Sequence, residues 1–271
     1  MVVTEAESTM NYNAGQFQVR RRQSKGLEFQ VNYTYAKALT NNPGFFGTAS
    51  VNGASAYWQN GYNGHADYGP SGFDTRHNLS GTAVYELPFG RGRQYGANMN
   101  RLLDEAVGGW KITGTAIAFT GLPVTINGPN TANVNNRASR ADVYRKLTVR
   151  NRSLNNWFGT DASAVPCLAD STGAIRDNGS CAYATSQQNA FGTAAVGTER
   201  APGYQQYDFT AGKSFAITER QRLEFRADFF NALNIASYKN PDNGITDSNF
   251  GQISDVRSPP RQIQFSLHYG F

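Results

Sequence analysis

Few residues of this chain have the types and spacing that could do chemistry, and each group points to binding or bracing rather than turnover. Cys167 and Cys181 are the two cysteines, and they bracket "LADSTGAIRDNGS". In an oxidising compartment they would close a small loop and offset about 3 kcal/mol of chain entropy; two free thiols are the alternative. A metal or redox pair is disfavoured, because no CxxC spacing is present and the nearest histidine is remote. The segment 41–75 is dense in aromatics (Phe45, Phe46, Tyr57, Trp58, Tyr62, Tyr68, Phe73) mixed with Asn, Gln and Asp. Tyr57, Trp58 and Tyr62 are the candidate ligand contacts, since such faces stack on a sugar or a peptide; packing of the loop on itself, or at a membrane boundary, is the competing use. "NPDNGITDSN" (240–249) has near-calcium spacing but lacks the closing Glu of an EF-hand, and reads as a turn. Three histidines (His65, His77, His268) accompany no nucleophile elbow, zinc helix or P-loop, so the chain is not expected to be an enzyme or to hold a metal or cofactor. The basic run "VRRRQSK" (19–25) comes with no recognition helix or RNA-binding signature, so nucleic acid is not an expected partner.

The elements that must carry these residues are strands. With 28 Gly, 14 Tyr, 17 Phe and a charged fraction of only 17%, the composition favours strands and turns over helices. No run of about 18 apolar residues exists to make a membrane helix, which leaves a β-barrel open. "LEFQVNYTY" places Leu27, Phe29, Val31, Tyr33 and Tyr35 on one face and Glu28, Gln30, Asn32 and Thr34 on the other. "QRLEFRADFF" sets Leu223, Phe225, Ala227 and Phe229 against Arg222, Glu224, Arg226 and Asp228. "RQIQFSLHYGF" ends the chain with Ile263, Phe265, Leu267, Tyr269 and Phe271 in strict alternation with polar residues or glycine. Period two is the mark of a strand with unlike faces. "GWKITGTAIAF" is the weakest case, because Ile117 and Phe119 share a parity with Lys111 and Thr113.

The pattern predicts strands over about 11–22, 27–40, 76–88, 109–125, 205–216, 220–234 and 261–271. Long connections (41–75, 126–204, 235–260) alternate with shorter ones, and "NRLLDEAVGGW" within 89–108 has the pattern of a short amphipathic helix. In an up-and-down barrel this alternation puts every long connection at one end, the layout of an outer-membrane barrel with short periplasmic turns and long extracellular loops. The charged faces suit a lumen, because a charge facing lipid at the midplane costs about 2–4 kcal/mol. Arg21 and Lys213 break that parity near strand ends on the short-turn side. An odd number of strands would leave unpaired edges in hydrocarbon. "MVVTEAESTM" has no basic n-region or apolar segment of a signal peptide, so the chain is expected to be the C-terminal piece of a longer protein.

The stretches "NYNAGQFQVRRRQSKGLEFQVNYTYAKAL", "FDTRHNLSGTAVYELPFGRGR", "GGWKITGTAIAFTGLPVTI", "RLEFRADFFNALN" and "PPRQIQFSLHYGF", in that order, resemble the C-terminal barrel portion of TonB-dependent outer-membrane receptors of the Oar-like group, which carry a carboxypeptidase-regulatory-like domain. The resemblance covers nearly all of residues 1–271 except the two longest loops. It implies an all-β, antiparallel transmembrane barrel in the outer membrane of a Gram-negative bacterium, with this chain supplying about seven of about 22 strands around a plug. It also implies that Phe271 and Tyr269 form the final-strand signal read by the barrel-assembly machinery. TonB would be engaged only through the N-terminal part that is missing here, so the fragment alone would not transport. The rival readings are an adhesion or signalling protein on the same barrel, and a soluble carbohydrate-binding β-sandwich.

Overall fold

Lys25 and Gly26 both take positive φ (52° and 82°), the combination that a two-residue type I′ hairpin turn requires. A side chain at Gly26 would also meet the Glu86 carbonyl oxygen at 2.7 Å. This turn joins β1 (Met10–Ser24) to β2 (Leu27–Thr40). A computed structural model describes residues 7–42, 57–133 and 139–271 of the chain. Phe45 and Phe46 and the first six residues lie outside the described residues.

The sheet continues through β3 (His77–Glu86), β4 (Trp110–Phe119), β5 (Tyr204–Ala216), β6 (Arg222–Phe230) and β7 (Gln262–Gly270). Each strand pairs antiparallel with the next, so chain order and spatial order coincide. Among the described residues, the long-loop residues added to this sheet are Gly69–Pro70, beside Leu39 and Thr40. Among the described residues β1 and β7 are the free edges of the sheet, and almost every residue of both is exposed.

Register turns the parity of single strands into two continuous faces. One row runs Leu27, Tyr85, Ile112, Ala211, Ala227, Phe265 across six strands. The row one residue away runs Glu28, Val84, Thr113, Thr210, Asp228, Gln264. The same registers resolve the ambiguous fourth strand. Trp110, Ile112, Ala116 and Ala118 belong to the apolar face, while Ile117 opposes Ser80 and Gln206 on the polar one. On the polar face Asp228 Oδ1 accepts from Thr210 Oγ1 at 2.6 Å and Arg226 Nε at 2.8 Å, and Gln18 donates to Asn32 at 2.8 Å. A soluble sandwich would bury the apolar face beneath a second sheet. Among the described residues the other sheets are two-residue ribbons within the loops, so that alternative is not the fold.

The ends of the strands differ from the sequence reading where backbone chemistry intervenes. The fourth strand stops at Phe119 rather than 125, because Gly121 lies against the Ala201 carbonyl and Pro123 turns away to pair with Arg200. The sixth stops at Phe230, because Asn231 adopts a left-handed φ of 47°. Its buried amide donates to the carbonyls of Ile235 and Pro259, which fixes the exit of the chain. Helix α1 (Arg101–Val107) fills the 89–108 connection, capped by Asn100, whose side chain accepts from Leu103 N at 2.9 Å.

Candidate functional site

All the long connections emerge at one end of the sheet, and the structure folds them into one surface cap. Its core unites residues far apart in sequence: Val124, Ile126, Ala141, Leu147, Phe158, Ala182, Tyr183, Ala194, Ala201 and Ile245. Ile245 comes from the connection after β6, and so does Phe250, whose ring lies 4.9 Å from Phe158. The segment "NPDNGITDSN" is therefore a packed turn, in which Asp242 accepts from Gly244 N at 3.0 Å.

Two buried carboxylates fasten this cap. Asp67 pairs with Arg140, both more than nine-tenths buried. Arg140 Nε also donates to the Ala194 carbonyl at 2.7 Å, and its backbone amide to Gln59 Oε1 at 2.8 Å. Burial pushes the Asp67 carboxyl above its ordinary range, and the charge and hydrogen bond of Arg140 oppose that rise. Asp74, only 1% exposed, accepts from Ala38 N at 2.7 Å and from Arg200 Nη2 at 2.6 Å, which locks cap to sheet. None of these pairings was legible in the sequence, since the partners stand 73 and 126 residues apart.

Cys167 and Cys181 are joined by a disulfide, with Cα atoms 5.8 Å apart. Arg145 clamps the same loop, donating to Asp177 at 2.7 and 2.9 Å and to the Cys181 carbonyl at 2.5 Å. Its hydrogen bonds hold the Asp177 carboxyl below the usual range. Replacing both cysteines with serine is expected to accelerate amide exchange at Ala182 and Thr185, which donate to the Ser163 and Cys167 carbonyls, by about 100-fold, the equivalent of about 3 kcal/mol. Unchanged exchange would mean that Arg145 and the cap core suffice without the crosslink.

A cavity of about 390 Å³ opens beside the start of β1, bounded by Asn11, Asn41, Trp58, Tyr62, His65 and Tyr68, among others. Its size is that of a small-ligand pocket. Trp58 is fixed by an indole N–H donated to the Asn41 carbonyl at 2.8 Å, and Tyr68 Oη accepts from Asn11 at 2.7 Å. Gly64 lies under the indole, where a Cβ would come within 2.5 Å of the ring. Tyr62 is fully exposed at the mouth. Of the three aromatics expected to contact ligand, Trp58 and Tyr62 reach this cavity, and half-buried Tyr57 stands outside its lining. His65 and Tyr68 join them through a 3₁₀ turn over Gly64–Asp67. The cue that could have found them is the Asn63 cap, whose side chain accepts from Ala66 N. At the chain's other end Phe271 is 96% exposed, with Tyr269 6.1 Å away, ring centre to ring centre.

An apolar outer face, a polar inner face and long loops gathered at one end define the wall of an outer-membrane β-barrel. Residues 1–264 match the family model described as outer membrane beta barrel domain, and the chain belongs to that family. Its place is the outer membrane. No curated protein and no solved structure matches it.

Proposed function

We propose that the chain is part of an outer-membrane receptor that takes up a bulky ligand with energy from TonB. The observation that carries this reading is the fused cap above a polar-lined wall: the second and third long connections share a core, buried ion pairs fasten the first to the second, and the first, with the start of β1, frames an aromatic cavity of about 390 Å³. Trp58, Tyr62, His65 and Tyr68 offer flat faces and polar edges of the kind that suits a carbohydrate or peptide. The free edges of β1 and β7 call for further strands, because unpaired backbone in hydrocarbon costs several kcal/mol per group. In this reading the remaining strands and a plug belong to the Oar-like receptor of which the chain is the C-terminal part, and the plug side carries the contact with TonB. Phe271 and Tyr269 serve as the signal for the barrel-assembly machinery.

The test is accumulation of fluorescent oligosaccharide and peptide pools by cells that make the protein. Uptake is expected to vanish without TonB or without proton-motive force, and to fall several-fold with Trp58→Ala as one stacking face is lost. Ligand that is held at the surface and never accumulates would overturn transport and favour adhesion.

A further inference from the structure

Helix α1 is short, and all its apolar side chains point away from the protein. Leu102 is 83% exposed, Leu103 53% and Val107 44%, and no residue of the helix is buried. Leu102, Leu103, Ala106 and Val107 share one side at helical spacing, while Arg101, Asp104 and Glu105 share the other. An isolated helix of one to two turns is unstable in water, and exposing its apolar stripe adds nothing to hold it.

What fixes α1 is the apolar face of the sheet. Lys213 lies on that face, between Trp110 and Phe225 in register. Its ammonium group is buried and donates to the carbonyls of Asp104 and Glu105. The Trp110 indole N–H, from the same face, donates to the Ala106 carbonyl at 2.9 Å. Three carbonyls at the helix C-terminus are thus satisfied by two side chains of the outward face, where a cation is also favoured by the helix dipole. A cation within the apolar face, near the short-turn end of its strand, thus has its donors satisfied by this arrangement. Two more cations share the parity of that face: Arg21 stays near the β1–β2 turn and reaches the Ser24 carbonyl at 3.3 Å, and Lys37 lies near the long-loop end of β2. The carboxylate of Asp104 meanwhile accepts from Arg91 N at 2.7 Å, which folds the preceding turn against the helix.

We infer that α1 is an interfacial foot: it lies in the headgroup–acyl boundary of the periplasmic leaflet, with Leu102, Leu103 and Val107 inserted among phospholipid chains. The occupant is lipid because the stripe continues the outward face of a barrel wall, and α1 is bonded to that face from outside, through Lys213 and Trp110. The leaflet is the periplasmic one because α1 belongs to the short-turn end; this assignment rests on the membership of the outer-membrane barrel family. Arg101, exposed at the start of the helix, stands where a phosphate headgroup is met. Tyr95 and Phe89, whose tilted rings lie 5.8 Å apart in the same connection and are both exposed, add aromatic anchors of the interfacial type.

The test is spin labelling of the protein purified from outer membranes and reconstituted in phosphatidylethanolamine–phosphatidylglycerol bilayers. The disulfide leaves no native thiol to label. Nitroxides are placed singly at Leu102→Cys, Val107→Cys, Glu105→Cys and, as a mid-wall control, Phe209→Cys. Relaxation by oxygen, which partitions into lipid, is expected to exceed relaxation by a water-soluble nickel chelate about fivefold at 102 and 107, and the order is expected to reverse at 105. Dominance of the nickel chelate at 102 and 107, with oxygen dominant at 209, would overturn the foot while leaving the barrel intact. Shielding from both agents at 102 would overturn it too, by showing that protein covers the stripe. Nickel dominance at 209 would remove the membrane placement and the foot together.

Discussion

Arg140→Met is expected to destabilise the surface cap by about 3–5 kcal/mol, because it strands the Asp67 carboxylate in the interior without its partner. The guanidinium also holds the Ala194 carbonyl, and the amides of Ala194 and Ala141 belong to the ribbon it braces. Amide exchange at Ala141 and Ala194 should therefore rise more than 100-fold at pH 7. The variant should behave unusually with pH. Burial already raises the folded-state Asp67 pKa, and removing Arg140 takes away the group that opposes the rise. A carboxyl whose folded pKa is raised contributes stability that is complete below its unfolded value and lost as pH climbs through the folded one. Lowering the pH from 7 toward 4 should thus restore part of the cap in Arg140→Met, where most proteins begin to lose stability. Asp67→Asn in the same background should recover stability at pH 7 and abolish that response. Wild-type exchange in the single variant would show that the cap core alone carries the loop.

Ala211→Arg should cost about 2–4 kcal/mol in a bilayer, whereas Thr210→Arg, one residue away, should cost little. The contrast follows from register. Ala211 lies mid-strand between Ile112 and Ala227 on the outward face, while Thr210 lies between Thr113 and Asp228 on the inward one. An arginine at 210 would find the carboxylate of Asp228, which already accepts from Arg226. Urea titration of the assembled protein in vesicles reads the difference. Equal costs at the two positions would mean that both faces meet the same medium, and the barrel wall would be the wrong description.

Both predictions draw on information that was unevenly legible beforehand. The inside–outside code of most strands was written in the sequence, because alternation in Leu27–Tyr35, Leu223–Phe229 and Ile263–Phe271 needs only the period-two geometry of an extended chain. The alternation of long and short connections likewise placed the loops at one end, and the pattern of "NRLLDEAVGG" contained its helix. Where local pattern conflicted, pairing decided. Ile117 and Phe119 face the polar side because Ser80, Asn78, Gln206 and Tyr204 in neighbouring strands fix their register, and Phe119 finds Tyr204 to stack on, 5.0 Å away. The cap core was beyond one-dimensional reasoning, since Ile126, Phe158 and Ile245 carry no shared period and meet only once two loops close together. The same holds for Asp67 with Arg140 and for Asp74 with Arg200, charges that look like solvated loop residues until the fold removes water from around them. Lys213 is the sharpest instance. Its type contradicted its face in the sequence, and tertiary structure resolved the conflict by laying the carbonyl end of a helix over it.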